Sequence, residues 1–125
     1  MTIQECQKKA HENAVAKGFW DDSQNISEKL MLIVSELGEA CEALRKNDTQ
    51  TGVSQRDKEK MLELAEQGEF TLFKEMTKDS FPDELADVII RTLDLAEFMG
   101  IDLETHVRLK MRYNEGRPRL HGKAF

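Results

Sequence analysis

Two short motifs hold the residues best suited to chemistry: Glu36-Leu37-Gly38-Glu39 and Glu84-Leu85-Ala86-Asp87. Each sets two carboxylates three residues apart, which on an α-helix puts them on one side, about 60° from each other. Both motifs sit in strongly apolar stretches, so the acids leave their helices among leucine, isoleucine and valine. An unpaired buried carboxylate is unfavourable enough that such groups are expected to be paired or to hold a cation. Oxygen-only ligands select hard ions, which makes Mg²⁺ the expected occupant and Mn²⁺ its substitute. Four carboxylates around such an ion suit phosphoryl chemistry. The ion offsets phosphate charge, a carboxylate left off it can orient or deprotonate an attacking water, and lysines or arginines elsewhere can clamp the remaining oxygens. Either motif alone would be weak, because such pairs arise by chance on amphipathic helices. Two of them on apolar helices are harder to treat as ordinary surface.

Several rival chemistries are excluded by residue type. A di-iron bundle needs Glu-x-x-His on two helices, and no such motif occurs in the chain. There is no calcium loop of the D-x-[DN]-x-[DN]-G kind, and no Walker A, GxGxxG or GxSxG motif. The net charge of −6 argues against a general nucleic-acid-binding surface, which needs a basic face. Cys6 and Cys41 lack metal-ligand or CxxC spacing and are expected to be reduced. No signal peptide is evident, nor any apolar run approaching the ~18 residues of a membrane span. A cytoplasmic location is expected, with no membrane and no nucleic-acid partner.

The acids must be positioned by helices. With 125 residues and only two prolines, the chain is read as one domain, 1–125, an all-α bundle of four to five main helices. Thr2 is expected to cap a first helix ending at Gly18. His11 on that helix reads as a surface or hydrogen-bonded residue. Trp20 follows, either as a core plug or as an aromatic wall for a flat ligand. A second helix should begin near Ile26, capped by Ser27, and run to Lys46, with Leu30, Ile33, Val34, Leu37, Cys41 and Leu44 as its inward stripe. Lys29 shares the face of Glu36.

Residues 48–80 read as an insertion that packs on the bundle or lies at a subunit interface, with a substrate lid as the alternative. It contains the polar loop 49–52, a charged helix 55–67 with Met61, Leu62, Leu64 and Ala65 inward, and a short amphipathic piece near Phe70–Met76. Ser80 is the expected cap of the next helix, with Pro82 and Asp83 in its first turn. That helix is apolar around most of its circumference to Met99, so Glu84, Asp87 and Asp94 should face an internal polar site or cleft. Asp102 starts the last helix, with Leu103, Val107 and Met111 inward. Arg112, Arg117, Arg119 and Lys123 then make a basic tail, a solvated terminus or a source of phosphate-binding cations.

At this point the sequence resembles the MazG-like all-α nucleoside triphosphate pyrophosphohydrolases, marked by ExxE and a later ExxD on neighbouring helices. The resemblance rests on Gly18-Phe19-Trp20, on Glu-Lys-Leu-Met-Leu-Ile-Val-Ser-Glu-Leu-Gly-Glu-Ala (28–40) and on Asp-Glu-Leu-Ala-Asp-Val-Ile-Ile-Arg (83–91). It closes with Lys110, Tyr113-Asn114, Arg117-Pro118 and His121-Gly122-Lys123. It implies that Glu36, Glu39, Glu84 and Asp87 bind Mg²⁺, with Glu36 and Glu39 also the catalytic candidates. It further implies hydrolysis of (deoxy)nucleoside triphosphates between the α and β phosphates, giving the monophosphate and pyrophosphate, with house-cleaning of non-standard nucleotides as one role. Lys110, Asn114 and Arg117 would hold phosphates or sugar, as would Lys123 in the tail. Trp20 is a candidate for base stacking and Lys29 for phosphate contact. Members assemble as dimers or tetramers, so a homodimer or homotetramer is expected. The longer spacing between the two motifs departs from the compact pattern. A non-catalytic helical nucleotide- or protein-binding module, and hydrolysis of phosphoribosyl-ATP, are the alternatives.

Overall fold

The computed structural model describes residues 1–49 and 52–124. Among these it is all-helical, without strands: α1 (Ile3–Ala16), α2 (Ile26–Arg45), α3 (Gln55–Glu66), α4 (Thr71–Met76), α5 (Phe81–Phe98), α6 (Leu103–Glu115) and a 3₁₀ turn (Arg119–Gly122). The all-α expectation therefore holds. Gln50 and Thr51 of the expected polar loop lie outside the described residues. No helix among the described residues is long and apolar enough to cross a membrane.

Local sequence accounts for most helix ends. Thr2 and Glu5 form a reciprocal capping box at α1, and Ser54 with Asp57 does the same for α3. Asp102 caps α6 by accepting from the Thr105 N–H at 3.0 Å. Two expected caps are corrected. At α2 the cap is Asn25, not Ser27: Asn25 has extended backbone, and its side chain accepts from the Glu28 N–H at 3.2 Å. At α5 the Ser80 hydroxyl has no partner among the described residues. The Asp83 carboxylate takes the neighbouring donor instead, accepting from the Asp79 N–H at 2.8 Å. Gly18 ends α1 at φ +84°, where a Cβ would also come within 2.9 Å of Asp21 Oδ2. Glycine alone meets both conditions without strain.

The chain divides into two compact units, with the boundary between Ile89 and Ile90 inside α5. One unit is Asn25–Ile89. Here α2 buries Glu36, Ala40 and Ala43, which recur at the i, i+4, i+7 spacing of one helical face. This corrects the expected inward stripe: Leu30, Val34, Leu37 and Leu44 keep 44–51% of their surface exposed. Periodicity finds an apolar stripe but does not say that the same chain covers it. Leu62, expected inward on α3, is likewise 69% exposed, whereas Met61 is buried. The end of α2 and the start of α5 are joined directly, the Phe81 N–H donating to the Asp48 carbonyl at 2.9 Å.

The other unit combines Met1–Gln24 with the chain from Ile90 onward. Leu93, Leu95 and Ala96 of α5 are buried. Gln7 of α1 is buried too and donates through Nε2 to Glu97 Oε2 at 2.8 Å and to the Ile101 carbonyl at 2.9 Å. That pairing offsets the loss of water around its amide. The Gln4 N–H donates to Glu104 on α6 at 3.0 Å. Met111, expected inward on α6, is exposed.

Candidate metal centre

Glu36 and Glu39 stand on α2 one turn apart, and Glu84 stands in the first turn of α5, where its N–H donates to the Ser80 carbonyl at 2.9 Å. One carboxylate oxygen from each of the three lies within 4.8 Å of the others. Glu36 and Glu84 are each only 6% exposed, while Glu39 is open to solvent. The buried face of α2 that carries Glu36 continues as the small side chains of Ala40 and Ala43.

Three acids this close repel one another, and the burden falls on Glu84. Burial pushes its carboxyl up to about 7, reinforced by the charge of Glu39, a hydrogen bond with Glu39, and the charges of Asp87 and Glu36. A carboxyl held protonated by burial and like charge is a group that a cation would return to its ionised form. The donor set is all oxygen, two of its members are fixed by burial and one is open to water. These residues fit a hard divalent ion.

Asp87 lies one turn further along α5, half-buried. It belongs to the electrostatic surroundings of Glu84 but not to the close group of three. Lys29 is half-buried on α2 in the same unit.

The remaining candidates lie in the other unit. Trp20 is stacked on Phe98, with ring centroids 4.1 Å apart and planes at 20°, and His11 meets its edge at 5.4 Å. Asp94 Oδ1 accepts from Trp20 Nε1 at 2.9 Å and lies 2.7 Å from His11 Nδ1. One indole face is thus occupied by Phe98, and the side chain's polar end is anchored. Lys110 and Arg117 both lie over the Tyr113 ring, at 5.1 and 5.5 Å from its centroid, within cation–π range. Arg117 also donates to the His121 carbonyl at 3.2 Å. Asn114 Oδ1 is enclosed with no partner among the described residues. Lys123 is exposed, its backbone N–H donating to the Leu120 carbonyl at 2.9 Å.

Sequence reasoning missed the role of Asp94 as common anchor for His11 and Trp20. The available signal was its place two turns after Asp87 on the acidic side of an apolar helix. The isolation of the Ser80 hydroxyl was also missed, and no sequence signal distinguishes it from a capping serine. No family model, curated protein or solved structure matches the chain.

Proposed function

We propose that the chain is a Mg²⁺-dependent nucleoside triphosphate pyrophosphohydrolase that converts a (deoxy)nucleoside triphosphate to its monophosphate and pyrophosphate. The observation that carries this reading is the convergence of Glu36, Glu39 and Glu84 within 4.8 Å, two of them buried. The motif resemblance to MazG-like pyrophosphohydrolases adds the substrate class and the site of cleavage. When bound, the ion supplies charge neutralisation for the phosphate oxygens, a role Mn²⁺ can share.

The chain's own residues then divide the work. Glu36 and Glu84, fixed by burial, present oxygens at set positions and would hold the ion with the Glu84 carboxylate ionised. Asp87 adds negative charge behind Glu84. Glu39, being exposed, can reach solvent, orient a water and accept its proton as the water oxygen bonds to phosphorus and the α–β bridge breaks. Glu36 is the second candidate for that role. The cations about Tyr113, Lys110 and Arg117, with Asn114 and Lys123, are the groups the resemblance assigns to phosphate or sugar, and Trp20 and Lys29 those it assigns to base and phosphate. The uncovered stripe Leu30, Val34 and Leu37 supports a homodimer or homotetramer, since a monomer would leave a long apolar face in water. A cytoplasmic nucleotide-pool role, with no membrane or nucleic-acid partner, completes the proposal.

The deciding experiment measures pyrophosphate release from a panel of ribo- and deoxynucleoside triphosphates with Mg²⁺, for the native chain and for Glu39→Gln and Asp87→Asn. Release from at least one triphosphate, abolished in Glu39→Gln with helicity unchanged, is the expected result. Turnover that survives both substitutions would assign the site elsewhere. No release from any triphosphate would point to a binding module.

A further inference from the structure

The buried amide of Gln7 is only half used. Its Nε2 donates to Glu97 Oε2 at 2.8 Å and to the Ile101 carbonyl at 2.9 Å. Its oxygen accepts from no described residue, although the residue is only 5% exposed. Nor is that oxygen sealed in protein: Gln7 lines a cavity of about 230 Å³ in the unit that combines Met1–Gln24 with the chain from Ile90 onward. Lys8 of α1 lines it too. The turn from α5 into α6, made at Gly100 with φ +66°, contributes Glu97, Asp102 and Glu104. A nearly buried acceptor that opens only on a cavity is unfavourable until something donates to it.

The other polar groups of the wall ask for the same kind of occupant. Glu97 accepts the Gln7 amide on Oε2, and Glu104 accepts the Gln4 N–H on Oε2 at 3.0 Å. Each carboxylate is thus oriented through one oxygen, while its Oε1 has no partner among the described residues. Asp102 is held by the Thr105 N–H at 3.0 Å. Three carboxylates therefore line the cavity against one ammonium, that of Lys8, and the balance favours a cation. They are too widely spaced for a single metal ion: among the described residues only Glu36, Glu39 and Glu84 gather three such ligand atoms within 4.8 Å. An ammonium, whose hydrogens fan out from one nitrogen, needs a similarly tight group. A guanidinium carries its donors on three nitrogens in one plane and pairs with carboxylates along its edges.

We propose that this cavity binds a small alkylguanidinium, its N–H groups shared among Glu97 Oε1, Glu104 Oε1 and Gln7 Oε1, with Asp102 adding negative charge. The volume is below the roughly 300 Å³ at which drug-sized sites begin, which limits the occupant to the head group and a short alkyl tail. The site shares no residue with the Glu36, Glu39 and Glu84 cluster, and its test does not depend on any hydrolytic activity.

The probe is propylguanidinium, compared with propylammonium and with neutral, near-isosteric propylurea, each titrated into the full chain while backbone amide resonances are followed. Saturable shifts centred on residues 4–8 and 97–104 are expected. The guanidinium should bind about tenfold tighter than the urea, the size of two part-exposed ion pairs, and tighter than the ammonium. Glu104→Gln keeps an oxygen for the Gln4 N–H but removes a charge. It should cut the guanidinium's affinity about fourfold and leave the urea's unchanged. Lys8→Ala removes the opposing charge from an exposed side chain and should raise the guanidinium's affinity about twofold. Absence of shifts in those segments, equal affinity for guanidinium and urea, an ammonium that binds as tightly, or an advantage undiminished in Glu104→Gln would each overturn the proposal. If Glu104→Gln fails to fold, Lys8→Ala decides, an unchanged or lowered affinity overturning the site.

Discussion

Glu84 on α5 and Glu39 on α2 bring carboxylate oxygens within 4.8 Å of each other, an acid-to-acid approach that is favourable only while one of the two keeps its proton. Two helices therefore meet at a carboxyl whose charge state its surroundings control.

The first prediction concerns pH in the absence of metal. The Glu84 carboxyl is raised in the folded chain from 4.5 to about 7, so between those values the folded state holds a proton that the unfolded state has released. Stability contributed by this group is fully present below about pH 4.5 and is lost as pH rises toward 7. The loss should be on the order of 3–4 kcal/mol, at about 1.4 kcal/mol per pKa unit. Thermal melts in chelator should show a lower Tm at pH 8 than at pH 5.5, with added Mn²⁺ or Mg²⁺ recovering more at pH 8. A flat profile would remove Glu84 as the controlling group.

Glu84→Gln separates fold from function, because the two should move in opposite directions. The amide cannot ionise and can still donate to Glu39, so the metal-free variant should melt higher than the native chain at pH 8, by about 1–3 kcal/mol in stability. Its melting temperature should no longer respond to Mg²⁺ or Mn²⁺. A variant that is destabilised in chelator yet still stabilised by metal would contradict both statements.

Asp94 holds two side chains through one oxygen. Asp94→Ala leaves the Trp20 N–H and the His11 ring nitrogen without their acceptor, and should lower stability by about 2–3 kcal/mol. Because Trp20 is the chain's one tryptophan, its emission should shift to the red as the Phe98 stack loosens. Denaturant titration with fluorescence reads both effects in one experiment.

Ser80 is wholly buried, and among the described residues its hydroxyl has no partner. Removing an unsatisfied buried hydroxyl recovers its desolvation penalty, so Ser80→Ala should be neutral or stabilising by up to about 1 kcal/mol. An ordinary capping serine would instead show a loss of about 1 kcal/mol on the same change. The sign of ΔTm is the test.

If the chain self-associates through the uncovered face of α2, a charge placed there should undo it. Val34→Glu should lower the mass measured by light scattering toward that of a single 14.4 kDa chain, while circular dichroism keeps its helical signal. A monomeric native chain would set this interface aside.

Much of this arrangement was legible before the fold was seen, and the exceptions have a common cause. The Thr2 and Asp102 caps are local, decided within four residues, and local chemistry is what a sequence displays. The pairing of Glu36 and Glu39 follows from helical spacing alone. That Glu84 joins the close group while Asp87 stands apart depends on how α2 and α5 approach, which no single-helix pattern encodes. Leu30, Val34 and Leu37 were misjudged for the same reason, since an apolar stripe has the same period whether its own chain or another copy covers it. For Trp20, the choice between core plug and aromatic wall turned on Phe98, which lies 78 positions away in the sequence.

The hydrogen bond from the Phe81 N–H to the Asp48 carbonyl makes the intervening stretch a closed excursion, leaving and rejoining the chain at nearly one point. Ring closure of this kind becomes less favourable only logarithmically as residues are added. The stretch between those two residues can therefore lengthen, shorten or change its cargo while the junction beneath it, and the carboxylates hung from that junction, keep their register.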